Sequence, residues 1–461
     1  MAPMFKSLSE NSEGSCGERF WARPRRRGRS IPEAGYADRA NAGHDQKIRR
    51  PKGIPALHQQ SSPFFSRWYV QNLSFRIICA TSLCHQNRAP RNFLTRSKRF
   101  QALLLLLTAV ILDGCKSVPT STGNGFSHFV GLNQFSEFSR TQNEFGDTVL
   151  LSPEIKSGIS WNELIVSWNA AAPAGTFLKI EACAILPDHA TKFYTVGNWS
   201  PDNKIFPRTS VRHQQDAEGT VDTDTLILKQ PAVAAQIRVT LGGTNGVRPT
   251  LKFLGASFSN TRVSPATRPP NLAAWGKIIS TPEHSQHGYP NEKGWCSPTS
   301  LSMVLSRWAE VLHRPEMNLT VPEVAADVYD DDFAGTGNWP FNTAFAGSFR
   351  GMRSFVTRFD DLSEVEDWIV AGIPVVLSGR WDWLQPGRPP DMDGHLIVCI
   401  GFTPAGDVVI NDPATNLALG QSVRHIYRRT NVLHSWTKSH NAVYLVFPVN
   451  AKIPKNLYGH W

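Results

Sequence analysis

A cysteine stands directly ahead of a helix whose buried face can be read off the chain. In Gly294-Trp295-Cys296-Ser297-Pro298-Thr299-Ser300 the Ser-Pro pair predicts a helix start. The Ser297 hydroxyl would cap free N–H groups, and proline is at home in a first turn. Apolar residues then recur at Leu301, Val304, Leu305, Trp308, Ala309 and Leu312. Those offsets trace one stripe of a 3.6-residue period, which must be buried against a core. Cys296 thus falls at a helix N-terminus, where partial positive charge favours thiolate over thiol. Beside an imidazole, such a placement activates thiols in general. A cysteine that merely precedes a helix can also be inert, so partners decide.

The partners are present further on. Asp393-Gly394-His395 leads into the apolar run Leu396–Phe402, long enough for a buried strand. Turn residues follow at Thr403-Pro404-Ala405-Gly406-Asp407, then Val408-Val409-Ile410 as a returning strand and Asn411-Asp412-Pro413. A hairpin centred on residues 403–404 predicts His395 directly opposite Asp412. Opposed residues on antiparallel strands share a face, with Cβ atoms ~4.5–5.5 Å apart. At that distance a carboxylate can fix the imidazole tautomer and leave the other ring nitrogen for a thiol proton.

These segments resemble the C-39-like, bacteriocin-leader-peptidase-like family of the papain-like fold. Its pattern is a Gln, then Cys-Gly/Ser-Pro-Thr at a helix start, Gly-His before a strand, and Asn-Asp-Pro. Trp295–Ser300, Gly394-His395 and Asn411-Asp412-Pro413 match in order, and residues 335–342 and 372–376 also look like family segments. The likeness covers about residues 275–450. It implies a papain-like cysteine peptidase with Cys296 as nucleophile, His395 as base and Asp412 orienting that base. It also implies an oxyanion hole made by the Cys296 N–H and an upstream Gln, for which Gln286 is the nearest candidate. Ser297 replaces the family's usual Gly and should preserve the helix start. His284, His287 and Asp393 read as loop residues, with His287 the one stand-in base. No metal or organic cofactor is required.

The remainder of the chain reads as address, spacer and a β module. Residues 1–100 hold 19 Lys and Arg against 6 Asp and Glu, leaving 29 against 32 in the rest. The net charge of +10 therefore belongs to the N-terminal segment, and nucleic-acid binding is set aside. Residues 1–93 lack periodicity and read as disordered, preceding a true translation start near Leu94. Arg96, Lys98 and Arg99 precede the apolar run Ala102–Leu112, so residues 94–115 read as an export signal. The run is short of the ~20 residues a membrane-spanning helix needs. Leu112-Asp113-Gly114-Cys115 resembles a bacterial lipobox, making Cys115 a lipidation candidate, although Asp113 departs from the pattern. An exported protein, secreted or held at the cell envelope, is the expectation. Seven cysteines over this length do not form a disulfide scaffold, and Cys183 and Cys399 read as buried hydrophobes.

Residues 116–146 read as a linker. From 147 to 259 short runs such as Leu164–Trp168, Phe177–Ala184, Lys192–Val196, Leu226–Leu228, Ala235–Leu241 and Thr250–Phe258 alternate with turn residues. That pattern predicts an all-β sandwich, and it resembles the jelly-roll, galactose-binding-like modules of some exported enzymes. Trp161, Trp168, Tyr194 and Trp199 could stack on a sugar or fill the core. A proline-marked connection, 260–271, leads to the α+β domain at 272–450, with 451–461 as a tail. Two further functional readings stay open: a cell-wall amidase or acyltransferase with the same triad, and a catalytically silent, glycan-binding surface lipoprotein.

Overall fold

The computed structural model describes residues 125–290, 292, 294–390 and 394–461. The basic segment 1–93, the export signal and Cys115 lie outside the described residues, as does Asp393. No helix among the described residues is long and apolar enough to cross a membrane.

Nine strands form the N-terminal module: β1 (Ser127–Leu132), β2 (Ser139–Gln142), β3 (Thr148–Leu151), β4 (Ile155–Ala171), β5 (Thr176–Ile185), β6 (Tyr194–Trp199), β7 (Gly219–Asp222), β8 (Thr225–Gly243) and β9 (Thr250–Ser259). The backbone of the assembly runs β1-β9-β4-β8-β3-β2, with β5 and β7 also on β8 and β6 on β5. Alternation decides which face is buried. Ala235, Ile237, Val239 and Leu241 point inward, while Arg238 turns outward and makes a two-pronged ion pair with Glu181 at 2.7 and 2.9 Å. The structure departs from a sandwich of two separate sheets, because all nine strands are joined through the long β4 and β8. Both strands lose register where they bend, and Pro231, which has no N–H to donate, falls in the gap between the two paired halves of β8.

Residues 125–146 are not a linker. β1 pairs with β9 along its whole length, and β2 extends the edge beyond β3. Their small and polar residues hid a strand whose partner lies more than a hundred positions away.

The second module contains α1 (Cys296–Leu312), α2 (Val321–Val328), α3 (Trp339–Ser348), β10 (Met352–Arg358), α4 (Leu362–Val370), β11 (Val375–Gly379), β12 (His395–Phe402), β13 (Val408–Asn411), β14 (Arg424–Tyr427), α5 (Arg429–Trp436) and β15 (Ala442–Pro448). Its antiparallel sheet has the order β10-β15-β11-β12-β13-β14. β12 and β15 are buried along their whole length, and the apolar stripe of α1 packs onto this sheet.

The two modules share packing. Phe129 of β1 stacks on Phe355 of β10 at 4.4 Å, and Phe341 of α3 enters the N-terminal core between Trp168 and Trp199. β10 is an edge strand whose outward N–H groups need partners. Asn169 accepts from Ser354 N at 3.1 Å, and Ser167 Oγ accepts from Val356 N at 2.9 Å.

The last residues are a packed strap, not a free tail. His460 is fully buried against Glu364 at 2.7 Å, and Trp461 meets Trp368 and Phe359 edge-on. Trp161, Trp168, Tyr194 and Trp199 are all buried, so these four offer no surface platform to a sugar.

Candidate active site

Helix α1 brings Cys296 to the site. Cys296 is its first residue, Trp295 occupies the capping position, and no side chain caps the helix. Ser297 therefore does not cap, contrary to expectation. Its hydroxyl lies inside the first turn and pairs with the Tyr444 hydroxyl of β15 at 3.0 Å. Ser300 Oγ donates to the Leu396 carbonyl at 3.0 Å, tying the first turn of α1 to the start of β12. The Cys296 side chain is mostly buried, with Sγ 4.0 Å from the Gly394 carbonyl and within hydrogen-bonding reach of the His395 ring.

His395 opens β12 and meets Asp412 through Nε2, 2.8 Å from Oδ1. The pair forms by a different register from the one expected. The turn spans Thr403–Asp407, closed by Thr403 N donating to Asp407 O at 2.8 Å, and a bulge shifts the ladder between Cys399 and Gly401. Val398 then faces Asn411, and continuing that register sets Asp412 opposite Ile397. His395 is the diagonal neighbour on the same face, a span that a long side chain bridges. Gly401 is required at the bulge because a Cβ there would lie 2.1 Å from the Lys277 carbonyl oxygen.

Asp412 is buried and richly supplied with donors. Besides His395 it accepts from the Tyr427 hydroxyl at 2.6 Å and from Ala414 N at 3.0 Å, and Arg388 lies 3.9 Å away. Burial alone would raise its pKa, but the His395 charge and these hydrogen bonds outweigh burial and hold the carboxyl well below the usual range. Burial likewise opposes charge on His395, yet Asp412, together with the Cys296 contact, raises the imidazole well above its ordinary value. Tyr427 and Arg388 were not singled out in the sequence. Tyr427 sits on a four-residue strand of mixed polarity and Arg388 in a Pro/Gly-rich loop, so neither carries a periodic or motif signal.

Tyr427→Phe removes one of three donors to a buried carboxylate. Hydrogen bonds to charged groups are worth about 1.5–3 kcal/mol, which converts to roughly a 10- to 100-fold loss in kcat if Asp412 is needed in its ionised form. The Asp412 pKa rises when a donor is lost, so the acid limb of the kcat/KM profile should move to higher pH. An unmoved limb would show that Tyr427 packs without positioning.

Gln286 is held at the same place. Its N–H donates to the Pro413 carbonyl at 2.9 Å, and Ser285 Oγ donates to Thr415 O at 2.6 Å. Its Oε1 is buried without a hydrogen-bond partner among the described residues. His284 pairs with Ser302 on α1, and His287 engages Glu292 through Nδ1 and the Ala414 carbonyl through Nε2, so both rings of these histidines serve the loop. Burial pushes the Cys399 thiol up to about 12 and also raises that of Cys183, which suits inert core residues.

Residues 278–444 match the family model of the Peptidase_C39 like family, and residues 120–259 match that of the Peptidase C39 N-terminal domain. The chain carries a C39-like peptidase region. The matched N-terminal stretch includes all nine strands β1–β9. Among solved structures, a protein described as a C39-like peptidase from Bacillus anthracis aligns at 17% identity with a TM-score of 0.29, over 39% of this chain and 99% of its own. The Gt strain of infectious bursal disease virus aligns at 10% identity and TM-score 0.18, over 29% and 32%. The CBM22-1–GH10 modules of a Clostridium thermocellum xylanase align at 9% identity and TM-score 0.13, over 35% and 31%. Likenesses this weak carry no argument here. No curated protein matches the chain. The C39-like region supports peptidase activity, which implies a peptide or protein substrate.

Proposed function

We propose that the chain is a papain-like cysteine peptidase, acting outside the cytoplasm, in which Cys296, His395 and Asp412 work together. The observation that carries this reading is the buried His395–Asp412 pair at 2.8 Å, with Cys296, on the first turn of a 17-residue helix, placing its Sγ 4.0 Å from the Gly394 carbonyl just before His395. Asp412 holds Nε2, which leaves Nδ1 for the thiol proton. The thiolate attacks a peptide carbonyl, and the protonated His395 then gives its proton to the leaving amine. In the second half His395 takes a proton from water, hydroxide attacks the thioester, and the acid product leaves as the thiol re-forms. The uncapped N–H groups of α1 suit them to the developing oxyanion.

Gln286 is the side-chain oxyanion donor in this reading. Its backbone N–H is held by the Pro413 carbonyl, one residue beyond Asp412, and such donors are typically worth about 2.7–4 kcal/mol. Gln286→Ala should lower kcat by roughly 10²–10³-fold with an unchanged unfolding midpoint. A variant with wild-type kcat would remove Gln286 from the site. The reading as a whole is tested by iodoacetamide labelling at neutral pH. Rapid labelling of Cys296, slowed by His395→Ala, is expected, and equal slow labelling in both proteins would leave a silent binding protein as the better account. Export through the segment 94–115, with or without lipidation at Cys115, belongs to the same proposal and rests on the sequence alone.

A further inference from the structure

A cavity of about 470 Å³ is walled by both modules, and Gly394, the residue before His395, lines it. On the C39-like side it is bounded by Gly394, whose carbonyl faces Cys296 Sγ, and by Gly337. Next to Gly337, Thr336 Oγ1 donates to the Gly294 carbonyl at 3.0 Å, two residues before the thiol. The segment that carries His395 thus lines this space, and the Thr336 hydrogen bond ties its Gly337 edge to the segment that leads into Cys296.

The opposite wall is the tip of the β7–β8 hairpin, Asp222-Thr223-Asp224-Thr225. Thr223 sits at φ 56°, a left-handed conformation that a β-branched residue adopts only at a cost. What holds the tip is Asp224. It accepts from Trp339 N at the start of α3 at 2.7 Å and from Thr225 Oγ1 at 3.0 Å, so the hairpin is docked rigidly on the C39-like region.

The charges in the cavity are unevenly compensated. Glu163 is answered by Arg358 at 2.6 Å and His440 at 3.5 Å. Asp222 is exposed and makes no ion pair among the described residues, and Lys438 stands on another part of the rim. Burial, with Asp222 and Asp330 close by, pushes Asp224 up to about 7. The hairpin tip thus presents the exposed carboxylate of Asp222 to the cavity that Gly394 lines from the other module.

We infer that the N-terminal module is part of the active site, its β7–β8 hairpin forming a wall of the substrate cleft where Asp222 selects peptides with a basic side chain near the scissile bond. This rests on the cysteine-peptidase reading above and adds the substrate class. Exposed ion pairs are weak, but a bound peptide would exclude water from this pair, and charge pairs at such interfaces govern selection more than bulk affinity.

The experiment uses the full chain and a positional peptide library in which Lys, norleucine and Glu are exchanged at each site. Wild type should favour Lys over norleucine by about tenfold in kcat/KM at one position, and Asp222→Lys should abolish or reverse that preference. The same peptides are titrated calorimetrically against Cys296→Ala and Cys296→Ala/Asp222→Lys, which reads the cleft without turnover. Tighter binding of Lys peptides, lost in the double variant, supports the inference. Equal binding of all three peptides, or a Lys preference untouched by Asp222→Lys, overturns it. Absence of cleavage with an inert thiol would sink the peptidase reading alone, since the titration still decides the role of Asp222.

Discussion

Turnover by Cys296→Ser and by His395→Ala is expected to fall by about 10⁴-fold or more in kcat/KM. In the proposed mechanism both changes remove a group that bonds to, or moves a proton for, the reacting carbonyl. Serine keeps the size of the thiol but lacks a nucleophile that His395 can ionise. The His395→Ala protein keeps the thiol and loses its base, so the two losses should not add when combined, because the residues act as a unit. Cys296→Ser, which is nearly isosteric, should cost little stability. His395→Ala leaves Asp412 with two donors and Arg388 nearby, so the carboxylate remains compensated. Purified variants with native circular dichroism and more than about a hundredth of wild-type kcat/KM would contradict the assigned roles.

The largest effect on stability is expected at Phe341→Ala. Phe341 belongs to α3 of the C39-like region yet is fully buried in the N-terminal core, edge-on to Trp168 and Trp199 with centroids at 6.1 and 5.6 Å. Gly197 leaves room for it, since a Cβ there would approach Phe341 Cε1 at 3.1 Å. Two large rings around one site cannot collapse to fill the void, so the cost should lie near the usual range of about 3–5 kcal/mol for Phe→Ala. Urea unfolding followed by tryptophan fluorescence would show a lower midpoint, with both modules still melting together. Leu419→Ala, at a residue 71% exposed, is the control and should change stability by less than about 0.5 kcal/mol. A Phe341→Ala shift as small as the control's would mean that the modules are joined loosely rather than through a common core.

Some of this was readable from the chain because the signal was local. The stripe from Leu301 to Leu312 depends only on the helical repeat, and Gly-His before an apolar run depends only on short-range pattern, so α1 and β12 could be drawn without their neighbours. The seven-residue alternation from Ala235 to Leu241 is of the same kind. A local rule loses its force once it is extended across a gap. The hairpin between His395 and Asp412 was counted from an ideal turn, but the closer approach of residues 277–279 to β12 produces a bulge at Ile400, and the pair forms diagonally. The Ser-Pro pair predicts a cap at Ser297, while its hydroxyl in the fold answers Tyr444, almost 150 residues later.

The chain alone thus determined where a nucleophile, a base and an acid could stand and which helix and strands carry them, since each rests on residues within one element's reach. Only the tertiary structure decided that Tyr427 and Arg388 join Asp412, that residues 127–142 and 451–461 are parts of the fold, and that the β7–β8 hairpin docks on the start of α3. Each of those contacts links positions far apart in sequence. Their formation depends on which buried surfaces find one another, and no periodicity in a single segment encodes that choice.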